Sequence, residues 1–170
     1  MLGRYENFPE NIHRIEYFAY TLPSKKLQQK LIHVISEINQ KTFSFEEIAN
    51  PTVPNCTIIF EIGIADAESF NYIDEEETKK ALNALKKEPF RVMDFFCALR
   101  YYKGQTGKKT PLKFDYYLIR FAFGKGVTLE MRVFHERGPR YISPEDITNF
   151  LVNQINKPST KKILKPIEPD

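Results

Sequence analysis

The sequence is poor in the residues that build disulfide scaffolds and metal centres. It has two cysteines and three histidines among 170 residues. Cys56 and Cys97 lie far apart in apolar stretches, which favours two buried free thiols over a disulfide. His13, His33 and His135 are isolated, without a cysteine or carboxylate at metal-ligand spacing. We therefore predict no metal, no cofactor and a reducing compartment.

The sequence also lacks long hydrophobic runs and nucleophile motifs. No run approaches the roughly 18 apolar residues of a membrane span, and residues 1–14 are polar without a signal-peptide core. Neither cysteine has a neighbouring base that would activate it. With 42% apolar and 28% charged residues, the chain has the composition of a soluble globular protein. We expect a cytoplasmic, non-enzymatic protein that does not contact membranes.

Positive charge is concentrated in one third of the chain. Residues 91–140 contain eleven basic and four acidic residues, whereas residues 1–90 contain ten and fourteen. The overall net charge of +3 therefore hides a segment of net charge +7. The same segment is rich in phenylalanine and tyrosine. Basic and aromatic residues interleaved on strands are typical of surfaces that bind nucleic acid.

Periodicity predicts an α+β fold with the order β-α-β-α-β-β-β-α. Strands are predicted at 12–20, 56–65, 91–102, 112–123 and 127–136. Helices are predicted from Ser24 to about Asn39, from Asp74 to Pro89, and after Ser143. Ser24 is one candidate N-cap of the first helix, and Ser143 is the predicted N-cap of the last. Residues 43–50 fit either a short strand or one helical turn.

The last three strands are joined by short turns and must form an antiparallel meander. The helices are expected on one face of this mainly antiparallel sheet. Residues 1–156 would form a single domain, followed by a mobile tail at 157–170 that is rich in proline and lysine and lacks periodicity.

The turn Gly124–Gly126 indicates which face of the sheet is open. A three-residue loop places Tyr117, Ile119 and Phe121 on the apolar face and pairs Arg120 with Glu130 on the other. A two-residue loop would place Arg120 in the core, where an unpaired charge costs several kcal/mol. We therefore favour the three-residue loop.

The face away from the helices is the predicted nucleic-acid site. Its rings would stack on bases, and its basic side chains would contact phosphates. A basic loop at 103–110 and the turn before the last helix would add further cations, with a phosphate received near the helix start. The predicted site residues are Arg100, Tyr102, Lys103, Lys108, Lys109, Phe114, Tyr116, Arg120, Arg132, Phe134, Arg137 and Arg140.

Two other functions fit the same residues. Aromatic residues on strands are also ordinary packing, and arginines beside acids are often surface pairs. The face would then be a protein–protein or ribonucleoprotein scaffold, which would fit a replication or transcription assembly. Alternatively, the strand carboxylates would gather magnesium for nuclease chemistry. Those carboxylates are Glu61, Asp94, Asp115 and Glu130.

Two runs, PLKFDYYLIRFAF and LEMRVFHERGPRYISPEDITNFLVNQIN, resemble the ThermoDBP-related proteins of archaea. The resemblance covers about the last 70 residues. It implies an antiparallel sheet backed by helices, with a basic, aromatic-lined cleft for single-stranded DNA or RNA. That family dimerises through a C-terminal leucine zipper. Pro158, Pro166 and Pro169 exclude such a helix here.

Overall fold

A computed structural model describes residues 1–49, 56–103, 113–157 and 161–167. The strands are β1 (Arg14–Tyr20), β2 (Thr42–Ser44), β3 (Cys56–Asp66), β4 (Ser69–Tyr72), β5 (Val92–Lys103), β6 (Lys113–Phe123), β7 (Thr128–Arg137) and β8 (Leu164–Ile167). The helices are α1 (Ser24–Ile38), α2 (Glu75–Lys87) and α3 (Pro144–Asn156), and a 3-10 turn spans Phe45–Glu47.

One antiparallel sheet contains all of these strands. Its order is β2-β3-β5-β6-β7-β1-β8, and β4 pairs with β3 outside this path. Apolar residues of the three helices join the inward residues of the sheet in one core. For example, Phe150 of α3 packs against Phe43 of β2 and Phe60 of β3. The predicted α+β fold and its eight elements are confirmed.

Three short strands, β2, β4 and β8, were not among the five predicted strands. Residues 43–50 contain both alternatives, because β2 leads directly into the 3-10 turn. β4 folds back on β3 through a tight turn in which Ala67 has a φ of 58°. Each of these strands has three or four residues, too few to show a period.

Part of the segment predicted as a mobile tail belongs to the sheet. β8 pairs antiparallel with β1, and Ile163 and Leu164 are buried. The side chain of Asn156 both donates to the carbonyl of Leu164 and accepts from its N–H. These contacts correct the prediction for residues 161–167, whereas residues 158–160 and 168–170 lie outside the described ranges.

The helix starts follow their sequence signals in two cases of three. Asp74 and Ser143 cap α2 and α3 by accepting from the N–H groups of Glu77 and Asp146. The prediction of Ser24 as an N-cap is wrong. Ser24 is the first residue of α1, where its hydroxyl accepts from Gln28, and the cap position belongs to Pro23.

Both cysteines are free and buried. Burial raises the pKa of the Cys97 thiol to about 12. Burial also raises the pKa of Cys56. The two thiols therefore remain protonated and unreactive at neutral pH.

Candidate nucleic-acid interface

The β6–β7 hairpin has a longer loop than predicted. Phe123 lies opposite Leu129, so five residues connect the last paired positions, and Arg120 lies opposite Arg132. The predicted pairing of Arg120 with Glu130 is therefore wrong. Because the register differs by two residues, each side chain keeps its predicted face. We call the side of the sheet away from the helices the open face.

Arg120 is held in an internal ion pair on this face. Its Nε and Nη2 donate to the two carboxylate oxygens of Asp94 at 2.7 and 2.8 Å. Asp94 is fully buried, and it lies directly opposite Arg120 across β5 and β6. A bidentate pair of this kind is strong and geometrically specific. Arg120 was predicted to contact phosphate, but its guanidinium is already occupied.

Residues 1–13 cover the half of the open face around this ion pair. The backbone N–H of Tyr5 donates to Asp94, and Arg120 donates to the carbonyl of Tyr5. The ring of Phe8 lies 4.4 Å from the guanidinium of Arg120, within cation–π distance. The carbonyl of Gly3 accepts from the N–H of Asp94, and this hydrogen bond continues the backbone pairing of β5. We call this region the covered half; the remaining part, around Phe114 and Tyr116, is the exposed half.

Two other predicted arginines also have acidic partners. Arg132 donates to Glu130 at 3.0 Å, and Arg100 pairs with Glu61. Both pairs are partly exposed, with 34% and 38% of the arginine side chains accessible. Solvent-exposed pairs contribute about 0–1 kcal/mol, so a phosphate can compete for these arginines.

Aromatic rings follow one another across the exposed half. Phe114 and Tyr116 of β6 lie parallel, with centroids 6.2 Å apart and an interplanar angle of 2°. Tyr116 also stacks on Phe96 at 5.4 Å, and Phe96 contacts Phe70 of β4. The guanidinium of Arg100 lies 5.9 Å from the Phe114 ring. All four rings are partly exposed, so their faces or edges are available to a flat ligand.

An open groove of about 590 Å³ lies at the end of this row of rings. It is lined by Lys113, Phe114, Tyr116, Arg137, Gly138 and Pro139, with no acidic side chain among these residues. Arg137 lies opposite Tyr116 at an irregularity in the β6–β7 ladder. Two aromatic rings and two cations thus meet in one solvent-open depression.

A buried carboxylate holds the connection 138–143 that forms one wall of this groove. Asp115 accepts from the hydroxyl of Tyr101 at 2.5 Å, and His135 Nε2 lies 2.8 Å from its other oxygen. The backbone N–H groups of Arg140 and Tyr141 donate to the same carboxylate at 2.7 and 2.9 Å. Burial raises the pKa of Tyr101, so this hydroxyl stays protonated and remains a donor.

Gly138 permits the close approach of that connection to β6. Its φ is +114°, and a Cβ there would lie 2.3 Å from the carbonyl oxygen of Phe114 and 2.4 Å from Asp115. Only glycine fits this position. The carboxylate and the glycine together place Arg137 and Arg140 beside the aromatic rings.

The structure therefore brings some predicted site residues together and separates others. Phe114, Tyr116 and Arg137 line the groove, and Arg100 lies beside the Phe114 ring. Tyr102 lies on the same face of the sheet, and the exposed Lys103 lies at the end of β5. Phe134 and Arg140 lie beyond Arg137, in contact with His13. Arg120 lies in the covered half. Lys108 and Lys109 fall outside the described residues.

Sequence reasoning missed several residues of the interface. Phe96 alternates with Ala98 and Arg100 along β5, so the same period-2 pattern that selected Arg100 could have selected it. Lys113 also lines the groove, yet it was counted only as part of the charge excess. No local signal could have placed His13, or indicated that residues 1–13 cover half of the face.

The strand carboxylates do not converge on a metal site. Glu61, Asp94, Asp115 and Glu130 each have a separate partner. Within the described ranges, no group of three or more His, Cys, Asp or Glu side chains could hold a metal ion. The helices described here include none that is long and apolar enough to cross a membrane.

Comparison with protein-family models, with curated proteins and with solved structures finds no significant match. The resemblance to the ThermoDBP-related proteins therefore stays a prediction.

Proposed function

We propose that this protein binds single-stranded nucleic acid, DNA or RNA, with little sequence preference, through the exposed half of the open face. The observation that carries the proposal is the groove in which the rings of Phe114 and Tyr116 adjoin Lys113 and Arg137. Every nucleobase has a π-face, so stacking on such rings tolerates any sequence. The two cations lie where they would neutralise the adjoining phosphates.

The remaining predicted residues extend this surface. Arg100 and Tyr102 lie on the β5 side of the rings, and Phe134 lies on β7 beyond Leu118. Lys103 precedes the basic segment that contains Lys108 and Lys109. These two lysines are proposed to contact the nucleic-acid backbone. A single nucleic-acid strand laid across β5, β6 and β7 would cross a new β-strand about every 5 Å.

Fluorescence anisotropy with labelled 20-residue oligo(dT), oligo(rU) and mixed sequences tests the proposal. The variants F114A and Y116A should each weaken binding by about 1–3 kcal/mol, because each removes a stacking platform. R137A should weaken binding of all sequences and reduce the slope of log K against log salt by about one.

A matched control comes from α2, on the helix side of the sheet. Lys79 is 72% exposed and lies 3.6 Å from Glu75 in an i,i+4 pair. K79A should bind as the parent protein does. A dissociation constant that stays millimolar at low salt, or an equal loss in K79A, would reject the proposal.

One observation favours a protein scaffold as a second candidate. The covered half already accommodates a polypeptide, since residues 5–8 pack on Asp94 and Arg120. The rings of the exposed half would give a partner segment a similar surface on which to pack. This alternative would be favoured if a partner protein bound the K113A/R137A variant and the parent with the same affinity, and if that affinity did not depend on salt.

A further inference from the structure

His13 and Arg140 form a pair of polar groups beside the groove. His13 precedes β1, its backbone N–H donates to the carbonyl of Val133, and its ring stacks on Phe134 with centroids 4.7 Å apart. Nη2 of Arg140 lies 3.4 Å from Nε2 of His13. Both side chains are exposed to solvent.

The hydrogen bonds of His13 determine which ring nitrogen carries its proton. Nδ1 lies 2.9 Å from the backbone nitrogen of His135 and accepts that N–H. The neutral ring must therefore carry its proton on Nε2, the nitrogen that faces Arg140. Nε2–H and the guanidinium are then both donors. The two donors lie 3.4 Å apart, and no acceptor among the described residues lies between them.

The His13 ring and the backbone of Arg140 are held by contacts that do not depend on a ligand. The ring is fixed by Phe134 and by the N–H of His135. Arg140 has a φ of 58°, and its N–H donates to the buried carboxylate of Asp115. A preorganised ring donor loses little freedom when an acceptor arrives.

The electrostatic surroundings of His13 also favour an anion. Partial desolvation and the neighbouring Arg140, followed by His135, lower the pKa of His13. The carboxylate of Asp115, which accepts the backbone N–H of Arg140, is already occupied by four donors. Arg14, next in sequence, pairs with Glu16 and Glu145.

We propose that His13 Nε2 and the Arg140 guanidinium bind one oxygen of a phosphate group. That this phosphate belongs to a nucleic acid rests on the proposed function, whereas the phosphate site itself does not. The phosphate site and the groove lie on opposite sides of β7. The site would therefore anchor the nucleic-acid backbone beyond the bases that stack on Tyr116 and Phe134. Its ligand is a phosphodiester within the strand or a phosphomonoester at its end.

The phosphate should bind the neutral form of His13. Neutral His13 already presents Nε2–H to the ligand, whereas a second proton would lie on Nδ1 and face the N–H of His135, which Nδ1 now accepts. Protonation would therefore break the hydrogen bond that fixes the ring. Because desolvation and Arg140 lower the pKa of His13, the ring is neutral at about pH 7.5, where binding is measured.

NMR of the imidazole resonances tests the phosphate site directly. Dimethyl phosphate and inorganic phosphate serve as the diester and monoester probes, and His33, exposed on α1, is the internal control. At pH 7.5, saturable shifts of the His13 resonances are expected, without change at His33. R140Q should weaken the response at least about fivefold, and R140K should restore part of it. Equal shifts at His13 and His33, or none, would overturn the proposal.

Oligonucleotide binding by H13F provides the second readout. Phenylalanine keeps a ring that can stack on Phe134 but has no N–H donor, so H13F should bind several-fold more weakly than the parent at pH 7.5. H33F should bind as the parent does. Comparison of 5′-phosphorylated with 5′-hydroxyl oligonucleotides assigns the site to a terminal or an internal phosphate.

The two proposals fail in different ways. If the parent protein binds oligonucleotides and both H13F and R140Q match it, the phosphate site is wrong and the proposed function stands. If phosphate shifts the His13 resonances but no oligonucleotide binds, the site stands and the proposed function is wrong.

Discussion

Replacing Asp115 by asparagine should loosen the connection 138–143 from the sheet. The carboxylate accepts two backbone N–H groups, the Tyr101 hydroxyl and the His135 ring, with no water-exposed surface of its own. Asparagine has nearly the same shape but only one acceptor oxygen. D115N therefore changes the hydrogen bonding while leaving the packing in place.

The cost of D115N in folding stability follows from the four hydrogen-bond partners of the Asp115 carboxylate. Tyr101 can rotate its hydroxyl and His135 can change tautomer, so either can accept from the new amide. The N–H of Arg140 or of Tyr141 cannot reverse, and in either amide orientation one of them faces another donor. An unsatisfied buried donor costs about 1–3 kcal/mol, and loss of charge assistance in the remaining bonds adds about 1 kcal/mol. We expect a loss of about 2–4 kcal/mol in the free energy of unfolding.

Urea unfolding followed by circular dichroism measures this loss, and amide hydrogen exchange locates it at Arg140 and Tyr141. The control is Y101F, which removes one donor but leaves the carboxylate with three, and should cost about 0.5–1.5 kcal/mol. D115N should also weaken oligonucleotide binding, because Arg137 and Arg140 lose their support. A change below about 0.5 kcal/mol, or unchanged exchange at the two amides, would refute the reasoning.

Three further perturbations test other parts of the structure. R120M leaves the buried carboxylate of Asp94 without its cation and should cost about 3–5 kcal/mol in urea unfolding; a cost below about 1 kcal/mol would contradict the buried pair. N156A removes both side-chain bonds to Leu164 and should speed exchange of the Leu164 amide, whereas unchanged exchange would mean that β8 docks without them. Stability should fall as the pH rises above about 10, because the raised pKa of Tyr101 makes the folded state hold a proton that the unfolded state releases. Y101F should reduce this slope by about 1.4 kcal/mol per pH unit, and an unchanged slope would place the titration elsewhere.

The long elements could be predicted because their residues repeat with a clear period. The alternation of Tyr117, Ile119 and Phe121 with Tyr116, Leu118 and Arg120 identified the face that packs on the helices. The short strands β4 and β8 could not be predicted, since each has four residues and gains its partners only from the assembled sheet. The hairpin register was off by two residues because loop length is not determined by the glycines at its ends.

The candidate site was predictable as a face but not as a set of available groups. Alternation correctly placed Arg100, Phe114 and Tyr116 on one side of the sheet with Arg120 and Arg132. Whether one of these arginines is available to bind a phosphate depends on the acidic side chain that pairs with it. Asp94 faces Arg120 only because β5 and β6 pair in one register, and that register is a long-range property.

The sequence by itself determined the α+β class, the two faces of the central strands and the concentration of cations and aromatic rings in residues 91–140. These properties depend on local periodicity and composition. The tertiary structure alone decided that residues 1–13 cover the Asp94–Arg120 half of the open face, and that His13 meets Arg140 beside Phe134. Those contacts join residues separated by about a hundred positions, and only the packing of the whole sheet brings them together.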